Sequence, residues 1–524
     1  MSHWLCNAIR LPIVGRTGQS VPSHVSQQRR YARPYSIVSL SNTKLRRPTG
    51  NRPRSTSIQT LDDDSILNIF HFYRPVVLDE GVVGWVDIIQ DTNWSRERWW
   101  YKPAHVCRRW RYLILGSASH LRLCLLCTYK TPVADMLAHS PPLPLVIDHR
   151  GPRTGRTVEN EESMLLALQH RDRLRRIHIV WPLPNLQKFI MAMDGEFPIL
   201  EYLYVARPSK NNTSLVLPHT FQAPRLRYLI LIGFAFPTGR PLFPTAVDIV
   251  TLALQDIHSS ANFRLNDLFQ ILSLLPQLGA LTIGFHFPFP NRDVRTQLLQ
   301  MSDVPHLTLP NLRHFAFEGV STYLEILLPR MTAPHLEKLR IQFSNQLTFS
   351  VPCLRDFIRK ARNLHFDVAT FSFYGRGIVV ILYPPERNYR VYTLSIHVFC
   401  RHLDWQVSSM EQIFTVLSPV FSEVVELALY YRKLVSSPEW HYEADRTQWR
   451  NFLRSFLNVK TLYVDKDLTG DLSRSLRPAD GEPSVDLLPE LKELKCSTDS
   501  HGDAFSSFID ARQLAGRPVT LVRR

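Results

Sequence analysis

The chain has 524 residues, more than one hydrophobic core usually fills, so it calls for several domains or for a repeat that grows in one dimension. Its apolar content of 44% is ordinary for a folded soluble protein, and no run of 18 apolar residues occurs, which argues against a membrane span. The formal charge of +16 is uneven: residues 1–57 hold ten Lys or Arg and no Asp or Glu, and the mildly basic remainder lacks the clustered stripe of a nucleic-acid-binding domain.

Residues 1–57 also carry Pro12, Pro22, Pro34, Pro48 and Pro53, and they read as a basic disordered tail, with a mitochondrial transit peptide as the competing reading. Seven scattered cysteines, an odd number without an apolar secretory region, fit a reducing compartment, the cytoplasm or nucleus. Acidic residues first appear at Asp62, Asp63 and Asp64, and a domain is expected to start there. After Leu61, the apolar residues Ile66, Leu67, Ile69, Phe70 and Tyr73 recur at the spacing of one helix face, the aspartates suit its N-terminus, and Pro75 stops it. Residues 74–101 read as an insertion packed in part by Trp85, Trp94, Trp99 and Trp100. A second helix follows, with Val106, Cys107, Trp110, Leu113 and Ile114 on its apolar stripe and Arg108, Arg109 and Arg111 between them. Leu121–Cys127 alternates like a strand, and Val133–His139 reads as a short helix.

A repeat then begins, with apolar residues at the first, fourth and sixth positions of a hexamer. It starts at Leu174, Leu200, Leu226, Ile249, Leu278, Leu312, Leu336, Val391, Val424, Val459 and Leu491. The copies lie 23 to 35 residues apart, except for one gap of 55 that reads as two periods with a degenerate copy near Leu364. Helical faces lie between several copies, such as Leu265, Leu268, Phe269, Leu272 and Leu275, or Trp449, Phe452, Leu453, Phe456 and Leu457. A repeated strand and helix implies an α/β fold: a leucine-rich-repeat-like solenoid over 129–524, preceded by a small all-α segment over 58–128. An ordinary α/β domain with many short strands is the competing reading.

The segment Leu61-Asp-Asp-Asp-Ser-Ile-Leu-Asn-Ile-Phe70, followed by Val106-Cys-Arg-Arg-Trp-Arg-Tyr-Leu113, resembles the F-box. The continuation Leu125–Val133 and Ser140–Ile147 is similar to the stretch behind the F-box in fungal F-box proteins with irregular leucine-rich repeats. The resemblance implies a non-enzymatic adaptor of a cullin–RING ubiquitin ligase, with no cofactor, whose F-box docks on the Skp adaptor and whose repeats hold a substrate protein. By motif, the docking residues are Leu61, Ile66, Leu67, Ile69, Phe70, Val106, Cys107 and Trp110. The competing function is an interaction scaffold outside ubiquitin chemistry, with a degenerate F-box.

Side chains alternate across a strand, so the third and fifth hexamer positions are expected to face solvent. They form a candidate substrate strip of Arg176, His178, Tyr202, Tyr204, Tyr228, His314, Lys338, Arg340 and Tyr463, suited to an acidic or phosphorylated segment. Cys124-Leu-Leu-Cys127 has the spacing of half a zinc site, but no second ligand pair accompanies it, and buried strand cysteines are expected. His170-Arg-Asp172 lacks the Asn of a kinase catalytic loop, because Ile177 stands five residues on. GxSxG, HExxH, GxGxxG and GxxxxGK[ST] are all missing from the sequence, and with them the minimal parts of those hydrolytic and nucleotide-binding sites.

Overall fold

The computed structural model describes residues 60–75, 97–128, 131–149, 158–207, 215–236, 241–257, 265–285, 306–344, 346–385, 392–400, 402–432, 446–477, 487–496 and 504–523. The basic tail and most of the Trp-rich insertion, with Trp85 and Trp94, lie outside these residues. The chain is a mixed α/β protein that divides into two compact units. Among the described residues, the smaller takes 60–75, 99–123 and 134–142, and the larger takes 97–98, 124–128, 131–133 and the described residues from 143 onward.

In the smaller unit, Asp62 starts the helix Asp63–Tyr73 by accepting a hydrogen bond from the Ser65 backbone N–H at 2.6 Å. That hydrogen bond is the main cause holding the Asp62 carboxyl below its usual range. Ile66 and Phe70 are the buried residues of this helix, one turn apart on a single face. The second helix, Arg108–Gly116, is capped by Cys107, whose sulfur accepts from the Trp110 N–H, and it buries Leu113 and Ile114. Phe70 and Trp110 join the two helices, and Arg109 adds hydrogen bonds to Asp63 Oδ1 and to the Leu61 carbonyl, both at 2.6 Å. Trp100, at the end of the insertion, is buried beside the short helix Tyr101–Ala104.

Among the described residues, the larger unit is built on a 16-stranded, mostly parallel sheet. In chain order its strands are β1 (Leu125–Cys127), β2 (Leu145–His149), β3 (Leu174–Val180), β4 (Tyr202–Ala206), β5 (Tyr228–Ile232), β6 (Thr251–Ile257) and β7 (Ala280–Phe285). A short pair outside the sheet is β8 (Leu307–Thr308) with β10 (Met331–Thr332). The sheet continues with β9 (His314–Gly319), β11 (Lys338–Ser344), β12 (Val368–Tyr374), β13 (Gly377–Tyr383), β14 (Leu394–Phe399), β15 (Glu426–Arg432), β16 (Thr461–Val464), β17 (Glu493–Cys496) and β18 (Thr520–Arg523).

The hexamers align in register. Ile177 lies opposite Leu203, Leu203 opposite Leu229, Leu229 opposite Leu252, and the row runs on through Leu281, Phe315 and Leu339 to Leu394. All of these side chains are at most 1% exposed. Backbone bonds reinforce the alignment: the N–H of Arg227 donates to Glu201, Val250 to Arg227, Gly279 to Val250, Arg313 to Gly279 and Glu337 to Arg313. The helical faces at Leu265, Leu268, Phe269 and Leu272 and at Trp449, Phe452 and Leu453 are buried as their spacing requires.

The 55-residue gap holds a degenerate copy near Leu364, in β12, where Ala369 lies opposite Leu427 and Phe371 opposite Leu429 in parallel with β15, but it is not two plain periods, because a strand of opposite direction is inserted. β12 and β13 form an antiparallel hairpin closed by Gly375 and Arg376, and β13 runs antiparallel to β14, which takes the place beside β11. The Tyr374-Gly-Arg-Gly377 turn between two apolar runs is the local cause. At Gly377 a Cβ would collide with the Val398 carbonyl oxygen, so this close approach of strands requires glycine.

Candidate interaction surfaces

The eight residues expected to dock on an adaptor occupy different environments. Ile66 and Phe70 are 1% and 2% exposed and belong to the interior of the smaller unit, which corrects the expectation that Phe70 is a surface anchor. Leu61, Leu67 and Trp110 are half-buried, whereas Ile69, Val106 and Cys107 are exposed. The same unit exposes three large apolar side chains that the sequence reading left out of this set, Phe72, Tyr73 and Tyr112, the first at 86%. The sequence signal for Phe72 and Tyr112 was present: each lies off the buried stripe of its helix, where an amphipathic pattern calls for a polar residue.

On the larger unit, the strip expected to face solvent splits into two parts. Over β1–β6 both faces of the sheet are covered. Cys124, Leu126, Val146, Tyr202, Tyr204, Ala206, Ile230 and Ala253 form a second apolar cluster on the face opposite the hexamer core, with Tyr228 packed against it. The His178 ring stacks on Tyr204 with 4.1 Å between centroids, and His178, Tyr202 and Tyr204 are all buried. Arg176 makes an ion pair with Glu97 at 2.9 Å, so the end of the insertion reaches this face. These four positions therefore correct the expected strip. Parallel strands covered on both faces carry apolar or aromatic residues on both, and the Tyr and Ile at the third and fifth positions are of that kind.

Over β9–β18 the same face is more open. His314, Lys338, Arg340 and Tyr463 are half-buried. Lys338 lies directly opposite His314, Arg340 lies opposite Ala316 on one side and Ser395 on the other, and Gln342 lies opposite His397. The His397 Nε2 is 2.8 Å from Ser395 Oγ. Burial, then Lys338 and Arg313, push His314 down to about 4, and burial, then Arg340, push His397 down to about 3. Burial also lowers Lys338. Farther along, the Tyr430 and Tyr463 rings meet at 4.9 Å, and Arg432 stands over Tyr374 at 6.0 Å.

Cys124 and Cys127 are buried free thiols; burial raises Cys124 well above its usual range and Cys127 to about 12. Glu97 accepts from the Cys124 thiol at 3.3 Å. Among the described residues no cluster of His, Cys, Asp or Glu could hold a metal ion, and no helix is long and apolar enough to cross a membrane. No family model matches the chain, and no curated protein matches it.

Proposed function

We propose that the chain is a substrate-recognition adaptor of a cullin–RING ubiquitin ligase, with an F-box-like smaller unit docking on the Skp adaptor and a leucine-rich-repeat-like larger unit binding a substrate protein. The observation that carries this reading is the set of exposed apolar residues on the smaller unit: Ile69, Phe72, Tyr73, Val106 and Tyr112. So many large apolar groups in so few residues favour a protein partner. The sequence resemblance supplies which partner. Most F-boxes have a proline after the first leucine; here Asp62 stands in that place and caps the helix instead.

Support for the second half of the proposal comes from the in-register hexamers, which stack one repeat on the next as in leucine-rich repeats. The residues proposed to read the substrate are those on the open part of the sheet face, His314, Lys338, Arg340 and Tyr463. The expected compartment is the cytoplasm or nucleus, where such ligases work. Co-purification of the full chain with the Skp adaptor tests the proposal, with Ile69→Asp and Val106→Asp as the variant. A folded wild-type chain that retains no adaptor would leave the alternative, an interaction scaffold with a degenerate F-box.

A further inference from the structure

We propose that the sheet face at the ends of β14, β13, β12 and β15 binds an extended segment of a partner protein in which an aromatic side chain stands next to an acidic one. This rests on the larger unit being the part that reads the substrate. The site lies where the antiparallel strand β13 interrupts the parallel order. Across the strand ends the residues run from Phe399 on β14 to Gly377 on β13, Tyr374 on β12 and Arg432 on β15. Phe399 and Tyr374 stand two strand spacings apart, about 10 Å, and Gly377 puts no side chain between them. The close approach that requires glycine at this position keeps the gap open.

Exposed apolar side chains gather at this end of the sheet: Phe399 is 46% exposed, Trp405 43% and Leu347 52%. Ser344, opposite Phe399, leads into the loop that carries Leu347. Gln412 holds that loop to the helix Leu403–Phe421 by donating to the Leu347 carbonyl at 3.1 Å. Gln406, next to Trp405, ties the same helix to the Tyr374 carbonyl at 2.8 Å. Single exposed apolar residues are ordinary, whereas several on one rim mark a protein-binding surface.

Charge supplies the other half of the partner's chemistry. Arg432 stands over the Tyr374 ring at 6.0 Å, Arg376 lies in the turn two residues past Tyr374, and both are exposed. Among the described residues neither arginine has an ion pair. The acids on the adjoining elements are Asp404, in the first turn of the helix, and Asp465, whose side chain caps the turn after β16. An aromatic ring in the gap is bordered by Phe399 and Tyr374, and a carboxylate one position along meets Arg376 and Arg432. The row from Phe399 to Arg432 spans three strand spacings, about 14 Å, the reach of about four extended residues.

Fluorescence anisotropy on the purified full chain tests the proposal, using three labelled peptide pools that are degenerate apart from a central pair fixed as Phe-Glu, Phe-Lys or Gly-Glu. The Phe-Glu pool should bind at least tenfold more tightly than either of the others. Phe399→Ser with Trp405→Ser, both at exposed positions, should bring the Phe-Glu pool down to the level of the Gly-Glu pool. Arg376→Glu with Arg432→Glu should reverse the preference, so that the Phe-Lys pool binds more tightly than the Phe-Glu pool. If that double variant melts early, Arg376→Glu alone, in the exposed turn, should narrow the preference for Glu over Lys at least threefold. Equal binding of all three pools, or preference unchanged in the folded variants, overturns the site. The Skp adaptor is absent from this assay and its co-purification is scored separately, so failure of this site and failure of the adaptor reading give different results.

Discussion

Phe70 and Trp110 meet edge to face with 5.0 Å between ring centroids and an interplanar angle of 77°, and this pair ties the first helix of the smaller unit to the second. Phe70 is 2% exposed, so its removal leaves a cavity rather than a bare surface. Phe70→Ala should lower the stability of the protein by about 3–5 kcal/mol, read from denaturant unfolding followed by tryptophan fluorescence. Phe72→Ala, at the fully open neighbouring position, should change it by less than about 0.5 kcal/mol. Equal losses in both variants would show that the two-helix core is misassigned.

The cysteines differ in reactivity for a physical reason. Cys107 is exposed, whereas Cys124 and Cys127 are buried thiols with raised proton affinity, and the thiolate is the reactive form. Iodoacetamide at pH 8 should label Cys107 within minutes and leave Cys124 and Cys127 unmodified until the protein is unfolded, as read by peptide mass spectrometry. Rapid native labelling of Cys124 would contradict the second apolar cluster, and that of Cys127 the burial of β1.

A pH dependence follows from His397. Its folded pKa of about 3 lies below the unfolded value near 6.5, so the unfolded chain binds the proton first. The stability present above pH 6.5 is lost as pH falls from there toward 3. The groups beside the ring are Gln342 and Arg340 from β11, Ser395 on its own strand and Val379 from β13. His397→Asn should flatten the fall in thermal midpoint between pH 6.5 and pH 4, measured by circular dichroism, and Arg340→Gln should flatten it in part. An unchanged slope in both would mean that His397 is solvated.

Much of the larger unit was legible because the hexamer is a direct imprint of burial. Its first, fourth and sixth positions point to one side, and one apolar residue in that pattern per strand is enough to fix the register. A further signal went unread: Pro198, Pro224, Pro276, Pro310, Pro334 and Pro489 each stand two residues before a hexamer start. There the N–H of the hexamer leucine closes a turn onto the residue before the proline, as Leu226 does onto Ala223 and Leu336 onto Ala333. The hairpin at Gly375–Arg376 was missed because a repeat search favours periodicity over turn chemistry. The burial of His178, Tyr202 and Tyr204 was not legible at all. An amphipathic tyrosine fits an open strand and a covered one equally well, and here the rings pack on one another across adjacent strands, His178 on Tyr204 and Tyr202 on Tyr228.

The central claim is tested most directly by the equilibrium affinity of the purified full chain for the Skp adaptor, measured by calorimetry for the wild type and for Ile69→Asp with Val106→Asp. Both positions are exposed, at 42% and 61%, so the variant should keep the wild-type unfolding transition. The expected result is saturable one-to-one binding by the wild type and a loss of at least about 2 kcal/mol, roughly 30-fold in affinity, in the variant. No binding by the folded wild type, or equal binding by both proteins, would contradict the adaptor reading.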